Sequence, residues 1–265
     1  MDLRTRTSPW LTRRRERGGA ALHVYVFAHA GGSCGEYLAW GDLVPEVQFW
    51  GVQLPGRSVR RAEDAHTSVG ALVGSLVGET RFAGPFVLLG HSFGGLLAYE
   101  TARALRRLGR EMPEQVILSS CPAPHSFGGA EPARWLHTLP DDDLITAAEA
   151  RWGPLPEQVH GDARLRRLVL APLRADIQLF ETYAHAPGPP LDVPATLLCG
   201  TEEQDRLAGE SAGWGRWLSR VTRRLALPGG HFYFREDPGP LLDVVRMVAG
   251  EVREARSTRR PRPAS

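Results

Sequence analysis

Short apolar runs alternate along the chain with longer stretches in which apolar positions recur every three or four residues. HVYVFAH (23–29), VQFWGVQL (47–54), PFVLLG (85–90), QVILSS (115–120), ATLLCG (195–200) and RRLALPG (223–229) have the length and content of strands. VGALVGSLVGE (69–79) follows Thr67 and Ser68, either of which can cap a helix. LLAYETARALRRLG (96–109) is amphipathic and stops at Gly109, and LLDVVRMVAGEV (241–252) is a third helix. Strands that alternate with helices and are apolar throughout predict an α/β domain, with a mainly parallel sheet covered by helices on both faces.

One region breaks the rhythm. Residues 125–190 contain helical patterns (DDDLITAAEA, ARLRRLVLAPLRADIQLFETY) and no strand, before HAPGPPLDVP (185–194) leads back to the sheet. Helices inserted between two strands can form a lid over the C-terminal edge of the sheet, where ligands bind in such folds. The expected organisation is a basic N-terminal segment over 1–22, one domain over 23–250 with its lid, and a disordered tail over 251–265.

Composition narrows the function classes. Of the 265 residues, 42% are hydrophobic and 23% charged, as in ordinary globular proteins. No apolar run reaches the roughly 18–20 residues that span a bilayer, and the N-terminus lacks the apolar core of a secretory signal. The net charge of +2 conceals an asymmetry. Residues 1–18 hold six Arg against Asp2 and Glu16, and residues 251–265 hold five against Glu251 and Glu254, so the body between them is acidic. That distribution argues against nucleic acid, which is bound by positive charge on the folded domain. Cys34, Cys121 and Cys199 have no metal or redox spacing and suit a reducing compartment, so a cytoplasmic protein is expected.

GHSFGG (90–95) carries the chemistry. It fits G-x-S-x-G between a strand and an amphipathic helix, the nucleophile elbow of the α/β-hydrolase fold. Ser92 must take a strained turn, Gly90 and Gly94 must lack side chains, and the Phe93 N–H comes free at the helix N-terminus. The remaining machinery follows in the order serine, acid, histidine. His231, in PGGHFYF after the last strand, is the expected base. His23, His66, His137 and His160 are out of order or away from the sheet edge, and His91 reads as packing. The acid belongs in GTEEQDRLAG (200–209): Glu203 has the usual spacing, Asp205 the more usual residue type, and Glu202 is a weaker third. The oxyanion donors expected are the N–H groups of Phe93 and of Ala30, in FAHAGGSCGEY (27–37), with Gly31 behind it.

Together SPW (8–10), FAHAGGS (27–33), QLPGRSVR (53–60), GHSFGG (90–95), LRADIQLFETY (173–183) and PGGHFYF (228–234) make the chain resemble the type II thioesterases of polyketide and non-ribosomal peptide pathways. The PGR and RAD segments are the specific part, since general lipases and esterases lack them. The resemblance implies Ser92 and His231 as catalytic, Ala30 and Phe93 as oxyanion donors and 125–190 as a lid over the acyl site. It also implies acyl or peptidyl carrier domains as transient partners and editing as the role. No metal or bound cofactor is implied, because the phosphopantetheine arm belongs to the substrate. The family has FPHAGG and HSMGA where this chain has FAHAGG and HSFGG, and an aspartate in a GDxD run where this chain has GTEEQD. Counting back from Trp214 and His231 lands on Glu203.

Other expectations are less specific. Arg57, Arg60 and Arg61 read as a solvated surface cluster, or as a contact for an acidic carrier helix. Trp135, Trp152, Leu170, Phe180 and Tyr183 either line the acyl site or pack the lid. A monomer is expected. The competing functions are a general carboxylesterase with the same triad and a non-catalytic binding module on the hydrolase scaffold.

Overall fold

The structure, a computed structural model, describes residues 8–129, 131–204 and 213–259. Seven strands form one sheet in the order β1-β3-β2-β4-β5-β6-β7. They are β1 (Leu11–Thr12), β2 (Leu22–Phe27), β3 (Val47–Val52), β4 (Phe86–His91), β5 (Gln115–Ser119), β6 (Ala195–Gly200) and β7 (Val221–Leu227). All pairs are parallel except β1 with β3. The chain therefore builds outward from β2 to β3, then returns to place β4 on the other side of β2. The strand order reverses between β2 and β4, and the crevice beyond their carboxyl ends is where ligands bind in such sheets.

Strict alternation divides the core. Tyr25 and Phe27 of β2 face one apolar layer with Leu88 of β4. Helices α2 (Val69–Glu79) and α3 (Phe93–Arg107) cover that layer. Val24 and Val26 face the opposite layer with Val87 and Leu89. There α1 (Gly35–Leu38) and the final helix close the domain through Tyr37, Leu241, Val245 and Val248. The Ser68 hydroxyl caps α2 by accepting from the Ala71 N–H at 3.2 Å.

Between β5 and β6 lie short 3₁₀ turns and helices α4 (Asp141–Trp152), α5 (Gln158–Gly161) and α6 (Ala163–Glu181). They have their own small core, with Leu144, Ile145, Val159, Leu170 and Ile177 buried together. Asp162 caps α6, accepting from the N–H groups of Arg164 and Leu165 at 2.7 and 3.0 Å.

The two termini differ from expectation. The basic N-terminal segment is, from residue 8, part of the fold. Trp10 is 1% exposed, its indole N–H donates to Glu79 at 3.0 Å, and its carbonyl accepts from the Gln53 N–H at 2.7 Å. Strand β1 then adds to the sheet edge. At the other end, α7 (Gly239–Arg259) runs through most of the expected tail. Val252 is buried, Arg223 pairs with Glu251, and Arg256 donates to Glu114 at 2.7 Å. Among the described residues, Arg13 pairs with Glu16 and Arg14 with Asp42 at one end, as Glu251 does with Arg223 and Arg256 with Glu114 at the other, so these charges lie on a folded surface. Among the described residues no helix is long and apolar enough to cross a membrane.

Trp10→Ala should remove a fully buried side chain and lower the free energy of unfolding by about 3–5 kcal/mol, measured by urea denaturation. A loss below about 1 kcal/mol would show that the first strand is dispensable.

Candidate active site

Ser92 sits between β4 and α3 with φ 55° and ψ −123°, a backbone conformation that residues other than glycine avoid. Hydrogen bonds hold it there. Its N–H donates to the Ser119 carbonyl at 2.7 Å, and its own carbonyl accepts from the Gly95 N–H at 2.9 Å. The glycines are required by contact. A Cβ on Gly90 would lie 2.1 Å from the Gly94 carbonyl oxygen, and one on Gly94 would lie 2.2 Å from that of Phe27. The sharp turn and the close approach of β2 thus both demand bare backbone.

His231 and Glu203 come from loops after β7 and β6. The His231 Nδ1 and Glu203 Oε1 are 2.8 Å apart, with the side chains 7% and 8% exposed. An ionised carboxylate only accepts, so the His231 Nδ1–H is the donor of this bond. The two loops lie backbone against backbone. A Cβ on Gly200 would be 2.2 Å from the Gly230 carbonyl oxygen, and the Glu202 N–H donates to the Gly229 carbonyl at 3.1 Å. Glu202 itself is exposed, and Asp205 lies outside the described residues.

Ser92, Phe93, Ala30 and His231 all line one cavity of about 620 Å³. Ala30 lies in a turn after β2 in which the Gly32 N–H donates to the His29 carbonyl at 2.9 Å and Gly31 has φ 72°. A positive φ at the third position of such a turn calls for glycine. Sequence reasoning missed what holds this turn. The Gly31 N–H donates to Asp176 Oδ2 at 2.8 Å, and Asp176 takes both ends of the Arg57 guanidinium at 2.7 and 2.5 Å. Arg57 also donates to the Gly32 carbonyl at 3.1 Å. Arg57 and Arg60 are therefore neither a solvated cluster nor a docking face. Both are 7% exposed, and Arg60 is bound bidentately by Glu63 and stacked over Trp10. Only Arg61 is exposed. Asp176 lies 119 residues from Arg57, so nothing local in the sequence announces the pair.

Residues 22–249 match the Thioesterase domain family. The chain belongs to that family. It is 34% identical over 231 residues to "Thioesterase PikA5" of Streptomyces venezuelae, covering 86% of this chain and 80% of that protein. Among solved structures it resembles the type II thioesterase BorB from the borrelidin biosynthetic cluster. The TM-score is 0.76 at 28% identity, over 91% of this chain and 96% of BorB. It also resembles RedJ, the thioesterase of the prodiginine pathway in Streptomyces coelicolor. Here the TM-score is 0.75 at 30% identity, over 88% of this chain and 87% of RedJ. The fold is that of the α/β-hydrolase thioesterases, and the protein is a hydrolase acting on thioesters.

The thioesterase's cavity reaches under the lid. Of the five lid residues expected either to line it or to pack, Trp152 and Phe180 line it. Leu170 packs in the lid core, Trp135 stacks on His137, and the Tyr183 hydroxyl donates to Glu100 at 2.6 Å. Phe127, Leu136, Leu155, Val169 and Leu173 complete the apolar wall; short, irregular segments supply the first three and hide them from periodicity.

Two further histidines flank the site. The His91 ring packs 4.9 Å from the His231 ring, with its Nδ1 2.8 Å from the Ser119 hydroxyl, in keeping with a packing role. His29 lines the cavity, its Nδ1 2.7 Å from the Tyr37 hydroxyl and its Nε2 accepting from Arg235 at 3.3 Å. Burial, then the positive charge of Arg235, lowers the His29 pKa to about 3; burial also holds His91 well below the usual value. Both are neutral in the folded protein. The unfolded chain takes up their protons as pH falls below about 6.5, whereas in the fold His29 does not until near 3 and His91 only well below its usual value. Stability should therefore be full above that window and decline through it toward acid. Urea unfolding at about pH 7.5 and pH 5 should show the decline, and His29→Gln should shrink it; an unchanged difference would mean that His29 already carries its proton in the fold.

Proposed function

We propose that this thioesterase is a type II, editing enzyme of a polyketide or non-ribosomal peptide pathway, removing acyl groups from the phosphopantetheine arms of carrier domains. The observation that carries the reading is the His231–Glu203 hydrogen bond in the cavity that Ser92 lines. BorB and "YbtT - Type II thioesterase from Yersiniabactin NRPS/PKS biosynthetic pathway" support the type II reading, the latter at 28% identity over 92% of this chain.

Acyl-pantetheine enters beneath the lid. His231 Nε2 takes the Ser92 proton as the hydroxyl oxygen attacks the thioester carbonyl, and Glu203 stabilises the resulting imidazolium. The N–H groups of Ala30 and Phe93 hold the oxyanion, the second with the dipole of α3 behind it. His231 returns the proton to the departing thiol, then takes one from water, which releases the carboxylic acid from the acyl-enzyme. Every group that moves a proton or holds charge belongs to the protein, so no metal or cofactor is needed. The carrier is bound transiently by a monomeric thioesterase in the cytoplasm, which suits three free cysteines.

Hydrolysis of acyl-carrier thioesters beside matched oxygen esters tests this. Ser92→Ala and Glu203→Gln should each lower kcat by about 10⁴-fold, and Asp205→Asn should stay near the parent. Preference for oxygen esters would make the protein a general esterase. A Ser92→Ala protein equal to the parent would leave a binding module.

A further inference from the structure

The PGR and RAD segments meet at one buried point, and that point is a junction between the lid and the catalytic turn. Asp176 belongs to lid helix α6, Arg57 to the loop after β3, and the backbone that both grip is the His29–Gly32 turn. Asp176 accepts from the Gly31 N–H, Arg57 donates to the Gly32 carbonyl, and the guanidinium and carboxylate bind each other bidentately. The helix also touches the turn directly: a Cβ on Gly31 would lie 2.9 Å from Leu173 Cβ and 3.1 Å from Leu173 Cα. The Ala30 N–H stands on the same peptide as the His29 carbonyl, which is tied to the Gly32 N–H. Its direction is thus set from both sides of the turn. A buried pair of this kind stabilises the fold little compared with an apolar replacement, so its presence asks for another reason.

We propose that Arg57 and Asp176 are positioning residues that make lid helix α6 and the oxyanion turn one mechanical unit, so that the Ala30 N–H is aimed only when the lid is seated. The inference rests on the reading of Ala30 as an oxyanion donor. Substrate entry that lifts α6 would loosen the donor, and closure over the acyl group would restore it. Water meeting the acyl-enzyme under a lifted lid would find half of the oxyanion hole misaimed.

Steady-state hydrolysis of an acyl-carrier thioester by Asp176→Ala, Asp176→Asn and the double variant Arg57→Met/Asp176→Leu, each with a thermal melt, provides the test. Asp176→Ala should lower kcat about 30-fold with KM within about threefold, since the oxyanion hole acts on the transition state. Asp176→Asn keeps an acceptor for the Gly31 N–H and should retain several-fold more kcat than Asp176→Ala. The double variant, with its apolar pair, should melt close to the parent and remain as slow as Asp176→Ala. Parent-like kcat in a folded Asp176→Ala, a loss confined to KM, or full recovery of kcat in the double variant would overturn the proposal. If the double variant does not fold, equal losses in Asp176→Ala and Asp176→Asn would overturn it instead. Should the parent fail to turn over thioesters, the proposed function falls. The coupling is then read from the rate at which an alkyl fluorophosphonate labels Ser92, a displacement of fluoride that uses the same N–H groups. Slower labelling in Asp176→Ala than in Asp176→Asn supports it, and equal rates sink it.

Discussion

Everything at this site depends on a backbone that would not stay bent by itself. A serine held at positive φ costs on the order of 1–3 kcal/mol, and the surrounding structure must over-determine it. The sheet does so through its register. His91 is level with Ser119, so the first residue past each strand lies beside the other, and both Ser92 and Ser120 have positive φ. Ser92 is tied to Ser119 and Ser120 to Leu198, which passes the constraint across three adjacent strands. On the other side β2 comes so close that only Gly94 fits. The bend is thus a property of the sheet edge as a whole.

The rest of the constellation follows from neighbouring strand ends. β2 delivers the turn with Ala30, β4 delivers Ser92, β6 delivers Glu203 and β7 delivers His231, all along one carboxyl edge. Backbone packed directly on backbone at Gly200 and Gly230 keeps the Glu203 and His231 loops in register. Burial lowers the pKa of both His29, in the cavity wall, and His91, packed behind His231, so neither adds charge beside that ring.

Much of this was legible in the sequence because its causes are local. The span of α2 is read directly from its cap and periodicity, and the elbow from two glycines flanking a serine between a strand and a helix. Spacing from Gly200 favoured Glu203 and residue type Asp205; Glu203 is hydrogen-bonded to His231, while Asp205 lies outside the described residues. What escaped was set by partners far along the chain. Arg57 and Arg60 looked like surface charge until Asp176 and Glu63 enclosed them, the one remote and the other just across a turn. Trp10 fell in the basic N-terminal segment, because the partners that bury it, Glu79 and Gln53, lie far along the chain. Segments with no period, such as the one carrying Phe127, offered no signal for the cavity wall they form.

The lid leaves the sheet after β5 and re-enters at β6, and these strands are hydrogen-bonded neighbours. It is thus an insertion at one doorway, and its length does not enter the strand order. Its freedom has one grammatical rule. Any lid accepted by this body must bring a carboxylate to meet Arg57, because a guanidinium left alone in that crevice would be a buried, unpaired charge. In this lid that carboxylate is Asp176 of α6, and a lid without it would strand the Arg57 charge in the crevice.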